Sequence, residues 1–243
     1  MKKKLKSIIS EKHYNRLARF KKTIFDGFAL KSYSQEGEDM ILRRIFEKQQ
    51  NGFYVDVGAH HPKRFSNTYF FYKKGWRGIN IDATPGSMKI FKKNRKRDIN
   101  LEVPISEKEQ TLTYYMFNEP ALNSFSKELS EARIEKNKYQ LVELKDLKTQ
   151  TLTSVLDRYL NNNLQFDFLN VDVEGEDLSV LRSNNWNKYI PKVIIVEILK
   201  NSIETIAEHE ISSFLKDMNY IPYAKSVNSV FFMESNFYSE RMD

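Results

Sequence analysis

The chain reads as an α/β fold, a seven-stranded, mostly parallel sheet with a terminal antiparallel hairpin and helices on both faces. Three observations predict it. Phe53-Tyr54-Val55-Asp56-Val57-Gly58 is an apolar run that closes on an acid and a glycine. Gly78-Ile79-Asn80-Ile81-Asp82 is a second such run, its acid 24 residues after Gly58. Further short apolar runs then alternate with stretches of helical periodicity. A buried strand opening into a tight turn, a crossover, and a second strand tipped by a carboxylate form the unit that receives a nucleoside in doubly wound proteins. The spacing thus predicts an adenosine-type cofactor and points towards an enzyme.

Taken in order, the chain opens with a basic arm, residues 1–31. Leu5, Ile8, Ile9, Leu17, Phe20, Ile24 and Phe28 recur among its lysines and arginines at roughly helical spacing, which predicts a basic amphipathic helix. Such a helix packs on its own domain or a second subunit, or rests on an anionic membrane face. The remainder, 32–243, reads as one domain. Ser34 or Gln35 is expected to cap a helix whose first turn holds acids, where the helix dipole favours them. Strands are expected at 53–57, 77–82 and 99–104. Thr111–Phe117 is expected to pair with 141–145 inside an insertion, 106–150, that carries a helical patch at 126–137. This insertion departs from the alternating βα pattern and is expected to serve acceptor recognition. The rhythm resumes with a helix at 153–160, a strand at Phe166–Val173, a helix at 177–183 and a strand at Lys192–Ile198. A helix at 203–217 and strands at Tyr220–Ala224 and Ser229–Met233 close the fold.

Composition narrows the function. Forty per cent hydrophobic residues and 13% aromatics argue for a folded core. With no cysteine, disulfides and thiolate metal sites are excluded. No apolar run approaches the roughly 18–20 residues needed to span a bilayer, and the N-terminus lacks a signal-peptide apolar region, so a cytoplasmic protein is expected, with peripheral membrane contact through residues 1–31 as an option. Ten Lys/Arg against two acids in residues 1–31 give a local charge of +8 of the total +7, leaving the other 212 residues at −1. A nucleic-acid enzyme more often carries its positive charge on the active face, so a small-molecule or glycan acceptor is favoured over RNA or DNA. Homo-oligomerisation stays open.

Five blocks sharpen the reading: Ser34-Gln35-Glu36-Gly37-Glu38-Asp39, Val55-Asp56-Val57-Gly58-Ala59-His60-His61-Pro62, Ser66-Asn67-Thr68, Gly75-Trp76-Arg77-Gly78, and Asp167–Gly175. In this order they resemble the FkbM-type S-adenosylmethionine-dependent methyltransferases over about residues 32–233. The resemblance implies a class I methyltransferase sheet (Rossmann-like), S-adenosyl-L-methionine as cofactor and O-methylation, often in glycan or secondary-metabolite pathways. The first loop departs from the Gly-x-Gly common in that class: it reads Gly58-Ala59-His60. Gly-x-Gly-x-x-Gly needs three glycines for turn, phosphate approach and helix packing, and only the first is present, which weakens a dinucleotide reading.

The resemblance places Asp56 near the amino-acid end of the donor and Gln35 in cofactor enclosure. Gly58 and Ala59 let the backbone approach the ligand. Asp82, with Ala83 beside it, is expected to accept both ribose hydroxyls, since two carboxylate oxygens suit a vicinal diol. Asn67 is expected at the methionine portion, or as a helix cap. Ile105 and Ser106, just beyond the third strand, fall where adenine would lie. Asp172 and Glu174 point the same way if their strand continues, and Gly175 then lets the chain turn. A carboxylate there is a candidate general base for an attacking hydroxyl, as is Glu197 at the end of the fifth parallel strand; the alternative reading of Glu174 is a helix-capping acid. His60 and His61 are rival bases, or ordinary loop histidines. Asp172, Glu174 and Glu197 could offer oxygens to Mg²⁺, but no His-x-x-x-His cluster supports a metal, and none is assigned. The resulting expectation is methylation of a hydroxyl on a sugar or nucleotide-linked sugar in surface polysaccharide (capsule or lipopolysaccharide) biosynthesis. The rivals are a phosphoramidate, lipid head group or secondary metabolite as acceptor, or a binding module without chemistry.

Overall fold

In the computed structural model the strand Phe53–Val57 (β1) lies at the centre of a seven-stranded sheet. The structure describes residues 13, 16, 20, 28–136, 138–160, 165–199 and 201–242. β1 pairs in parallel with Arg77–Asp82 (β2) on one side, and β2 with Ile99–Glu102 (β3). On the other side it pairs with Phe168–Val171 (β6), which pairs with Val193–Glu197 (β7). Ser229–Glu234 (β9) then runs antiparallel to β7, with Tyr220–Lys225 (β8) at the edge, giving the order β3-β2-β1-β6-β7-β9-β8. Thr111–Phe117 (β4) and Leu141–Lys148 (β5) form a separate antiparallel ribbon, as expected for the insertion.

Alternation along the strands builds two cores, because successive side chains leave opposite faces of a sheet. Val55, Val57, Leu169, Val171, Ile194, Val196, Val230 and Phe232 face one side. They meet helices Leu152–Tyr159 (α5), Asp177–Arg182 (α6) and Glu210–Asp217 (α7). Tyr54, Phe168, Val193, Ile195, Phe231 and Met233 face the other, against Glu38–Ile45 (α1), Tyr69–Lys74 (α2) and Ser235–Met242 (α8). Met88–Asn94 (α3) packs Met88 and Phe91 around Ala59, and Lys127–Glu135 (α4) belongs to the insertion. Tyr33–Asp243 form one compact unit, and Met1–Ser32 another.

Four expectations change in detail. The helix expected at 203–217 is split into a 3₁₀ turn, Ile206–Glu208, and α7, because His209 is extended and its Nδ1 accepts the Ile211 N–H at 3.2 Å. The first helix starts at Glu38 behind Gly37, which is left-handed at φ 90°; Ser34 Oγ nevertheless accepts the Asp39 N–H at 3.2 Å. The strand expected to reach Val173 stops at Val171, and β3 stops two residues short of 104. Helix α8 was not anticipated. The basic helix expected over residues 3–28 lies outside the described residues apart from His13, Arg16, Phe20 and Phe28, of which the first three are helical. No helix among the described residues is long and apolar enough to cross a membrane.

Candidate active site

The strand ends of β1, β2, β6 and β7 open onto one crevice at the point where the sheet order reverses, between β1 and β6. Such switch points hold the ligand in doubly wound sheets. Two adjoining hollows make up the crevice. One is lined by Gly58, His60, Asp82, Ala83, Ile105 and Asp172, and roofed from the insertion by Tyr114, Ala121, Asn123 and Phe125. The other holds Gln35, Asp56, Ala59, Phe65, Asn67, Asn170 and Glu197, and shares Gly58, His60, Asp172 and Glu174 with the first.

The turn after β1 is set by Gly58. It adopts φ 84°, and a Cβ there would stand 1.7 Å from the Asp172 carbonyl oxygen, so only glycine fits. The turn then hooks onto β2: Gly58 and Ala59 donate their N–H groups to the Ile81 carbonyl. The His60 N–H donates to Asp82 Oδ2 at 2.9 Å, and the Thr84 N–H to Asp82 Oδ1 at 2.8 Å. Each Asp82 oxygen thereby keeps a lone pair free towards the hollow. His60 itself is left-handed (φ 48°) and stacks on Phe65, and its Nε2 is buried without a partner. Burial pushes its imidazole below the usual histidine range, with Asp82 opposing. His61 instead turns Nδ1 to the N–H groups of Lys63 and Arg64, a loop-structuring histidine.

Asp56 is buried at the base of a polar chain. Asn170 Nδ2 and Thr68 Oγ1 donate to its two oxygens, each at 2.9 Å, and Asn67 Nδ2 donates to Asn170 Oδ1 at 2.8 Å. Burial raises the Asp56 carboxyl, and these two hydrogen bonds oppose the rise. Asn67 therefore does not cap α2; Ser66 Oγ accepts the Tyr69 N–H instead. Beneath the chain, Arg95 is fully buried, bonding Asp98 at 2.8 Å, Thr68 Oγ1 at 2.9 Å and the Pro62 carbonyl at 3.0 Å. The guanidinium thus fixes the loop between β1 and α2 from below.

Across the crevice, Asp172, Glu174 and Glu197 bring carboxylate oxygens within 4.8 Å of one another. The route differs from the expected one: Asp172 lies past the end of β6, and Glu174 sits at φ 56° in the following loop, so no continuing strand aligns them. Glu174 is no helix cap either. No side chain caps α6; Asp177, its first residue, braces the loop before it by accepting the Val173 and Gly175 N–H groups at 3.2 Å. Arg133 of α4 forms an ion pair with Glu174, and Ser124 Oγ donates to its carbonyl at 2.7 Å, so the insertion is fastened to the crevice wall. Burial raises Glu174, offset by Arg133. Glu197 is pushed up to about 8, by burial and then by Glu174 and Asp177. Dense surrounding protein raises Asp172 well above the carboxylate range, and Glu197 and Glu174 raise it further. Asp172 is itself open to the crevice, so water returns part of the burial cost and the like charges carry the shift.

Most site residues expected from sequence therefore gather here. Ser106 does not: its hydroxyl pairs with that of Ser179 at 3.1 Å, leaving Ile105 alone at the hollow. Gln35 is exposed on the rim. Sequence reasoning missed the roof, Tyr114, Asn123 and Phe125, whose only signal was an aromatic within an alternating strand. Tyr114 and Phe125 pack at 4.5 Å between ring centres, and the Tyr114 hydroxyl meets Thr84 Oγ1 at 3.0 Å. The insertion thus helps enclose the hollow beside Asp82, beyond the acceptor role expected of it.

This donor set suits a sulfonium nucleoside: an apolar, aromatic slot of Ile81, Val103, Ile105, Tyr114 and Phe125 lies beside a carboxylate with free lone pairs. The lining contains acids and neither lysine nor arginine, an unfavourable bed for a pyrophosphate. Strand order, the single antiparallel β9 and this crevice define a class I, S-adenosylmethionine-dependent methyltransferase. The profile of the methyltransferase FkbM domain family matches residues 56–222, and the chain belongs to that family. Among solved structures it is similar to a precorrin-6y C5,15-methyltransferase from Geobacter metallireducens (12% identity, 84% of this chain and 90% of that one, TM-score 0.42). Two others are a 1,6-didemethyltoxoflavin-N1-methyltransferase from Burkholderia thailandensis with bound S-adenosylhomocysteine (10%, 93% and 89%, TM-score 0.42) and an O-methyltransferase from Bacillus cereus in complex with SAH (10%, 93% and 91%, TM-score 0.41). No curated protein matches the sequence.

Proposed function

We propose that this protein transfers a methyl group from S-adenosylmethionine to a hydroxyl of a sugar or nucleotide-linked sugar during surface-polysaccharide assembly. The observation carrying this reading is the placement of Asp172 and Glu197 opposite the Gly58 turn, beside a hollow shaped for the donor. The bound donor supplies an electrophilic methyl on sulfur. Asp82 accepts the ribose hydroxyls on its free lone pairs, the Tyr114–Phe125 roof covers the adenine, and Asn67, lining the adjoining hollow, serves the amino-acid end.

Asp172, open to the crevice, takes the proton of the attacking hydroxyl, and Glu197 beside it, raised to about 8, keeps its own proton near neutral pH and leaves the negative charge to Asp172. Such a base contributes typically 10²–10⁴-fold. Holding oxygen, carbon and sulfur in line contributes more, roughly 7–11 kcal/mol. Carboxylates that line the crevice also suit the vicinal hydroxyls of a sugar. Glu174, paired with Arg133, holds the wall and the insertion and serves as a positioning residue. The same three carboxylates could hold a hard divalent cation, but the proton transfer described needs none.

The reading is tested by incubating the protein with isotopically labelled donor and panels of sugars, nucleotide sugars, lipid head groups and phenolic metabolites. A gain of one labelled methyl on a sugar oxygen is expected; exclusive labelling of a non-sugar acceptor replaces the sugar assignment, and binding without transfer to any panel favours a module without chemistry.

A further inference from the structure

The insertion ribbon leaves one strand edge open. β5 hydrogen-bonds only to β4, and no other strand among the described residues flanks it. Residues 141–146 are exposed on both faces of the ribbon, with Val142 67% and Leu144 54% accessible. An open edge with exposed apolar side chains invites a further strand.

The direction of the free groups follows from neighbouring contacts. Tyr115 exchanges both backbone hydrogen bonds with Ser124, on the side of β4 away from β5. Its partner across the ribbon is Leu144, so that pair is a non-hydrogen-bonded one. Leu144 therefore points its own N–H and C=O outward, and by alternation so do Asp146 and Lys148. The Thr149 N–H, which donates inward to the Gln110 carbonyl, confirms the phase from the other end.

We propose that this edge pairs with β5 of a second copy of the chain, antiparallel, about a two-fold axis through Leu144. The sequence of the edge is complementary to itself in that register and in few others. Leu144 meets its own copy as a hydrogen-bonded pair, using the outward groups just described. Glu143 falls opposite Lys145 of the second copy, and Lys145 opposite its Glu143, so both charges on that face are matched. A two-fold, self-complementary contact is the commonest way two identical chains join. The charges that would repel a foreign edge attract this one, which separates the proposal from generic strand addition.

Sedimentation equilibrium of the full chain at micromolar concentrations tests it. A dimer is expected, and Glu143→Lys or Lys145→Glu alone should weaken it about tenfold or more by setting like charges opposite each other twice per dimer. The double exchange, Glu143→Lys with Lys145→Glu, should restore it. These side chains are exposed, and far-ultraviolet circular dichroism checks that each variant is folded. A chain that stays monomeric, a dimer indifferent to either single reversal, or a double exchange that fails to recover overturns the proposal. Loss of the dimer on removing residues 1–30 overturns it as well, by moving the contact to the basic arm.

Discussion

The carbonyl of Asp172 occupies the space that a side chain on Gly58 would need, 1.7 Å from the position of its Cβ. The turn that approaches the donor and the loop that carries the proposed base are thus packed backbone to backbone. Gly58→Ala must push these loops apart and also adopt φ 84°. We expect a loss of about 3 kcal/mol or more in stability and no measurable donor binding. Thermal unfolding and calorimetric titration with S-adenosylhomocysteine check both.

Asp82→Ala removes the acceptors of the His60 and Thr84 N–H groups together with the ribose contact. Two or more kcal/mol of lost binding, about a thirtyfold rise in the dissociation constant for S-adenosylhomocysteine, is expected. Near wild-type affinity in a folded Asp82→Ala protein would remove the ribose from this strand tip.

Asp172→Asn should cut turnover by about a hundredfold or more while leaving donor affinity within a few-fold, because the base acts only on the attacking hydroxyl. Comparing single-turnover rates with titrated affinity separates the two effects. A turnover unchanged by the substitution would exclude Asp172 as the base.

Glu197 makes stability depend on pH. Its folded-state carboxyl is raised to about 8 from an ordinary value of 4.5, so the folded state holds more protons than the unfolded state between those limits. Stability must therefore fall as pH rises through that window. Glu197→Gln should flatten the decline, and its melting temperature at pH 8 should match or exceed that of the wild type. A steeper decline in the variant would contradict the crowding of carboxylates at this site.

Arg95→Met leaves the buried Asp98 without its ion-pair partner, held only by the Tyr54 hydroxyl, the Gly78 N–H and Asn80 Nδ2, and frees Thr68 and the Pro62 carbonyl. A cost of about 3–5 kcal/mol is expected, read by denaturant unfolding.

The centre of the sheet was legible in sequence because β1, β2, β6 and β7 are short apolar runs buried along nearly their whole length, and the acids at 56 and 82 fall at or next to the ends of such runs. The same pattern carried Asp172 and Glu197 to the correct end of the sheet. What escaped depends on partners distant in sequence. Nothing near Arg95 announces that it reaches Pro62 and Thr68, and nothing near Glu174 announces Arg133, 41 residues earlier. The roof of Tyr114, Asn123 and Phe125 arises only when the ribbon folds back over β2. Glu36 and Glu38, which read as first-turn acids, also serve the far end of the chain: Glu36 accepts from the Asn228 backbone and side-chain amides, each at 2.7 Å.

The antiparallel β9 has a consequence for how the molecule is assembled. β8 precedes it in the chain, yet among the described residues it has no neighbouring strand except β9. During synthesis β8 must wait, unpaired, until residues 229–234 leave the ribosome and slot between it and β7. A stop codon anywhere before Ser229 would cost the fold both strands, and with them the docking point of Glu36 at Asn228.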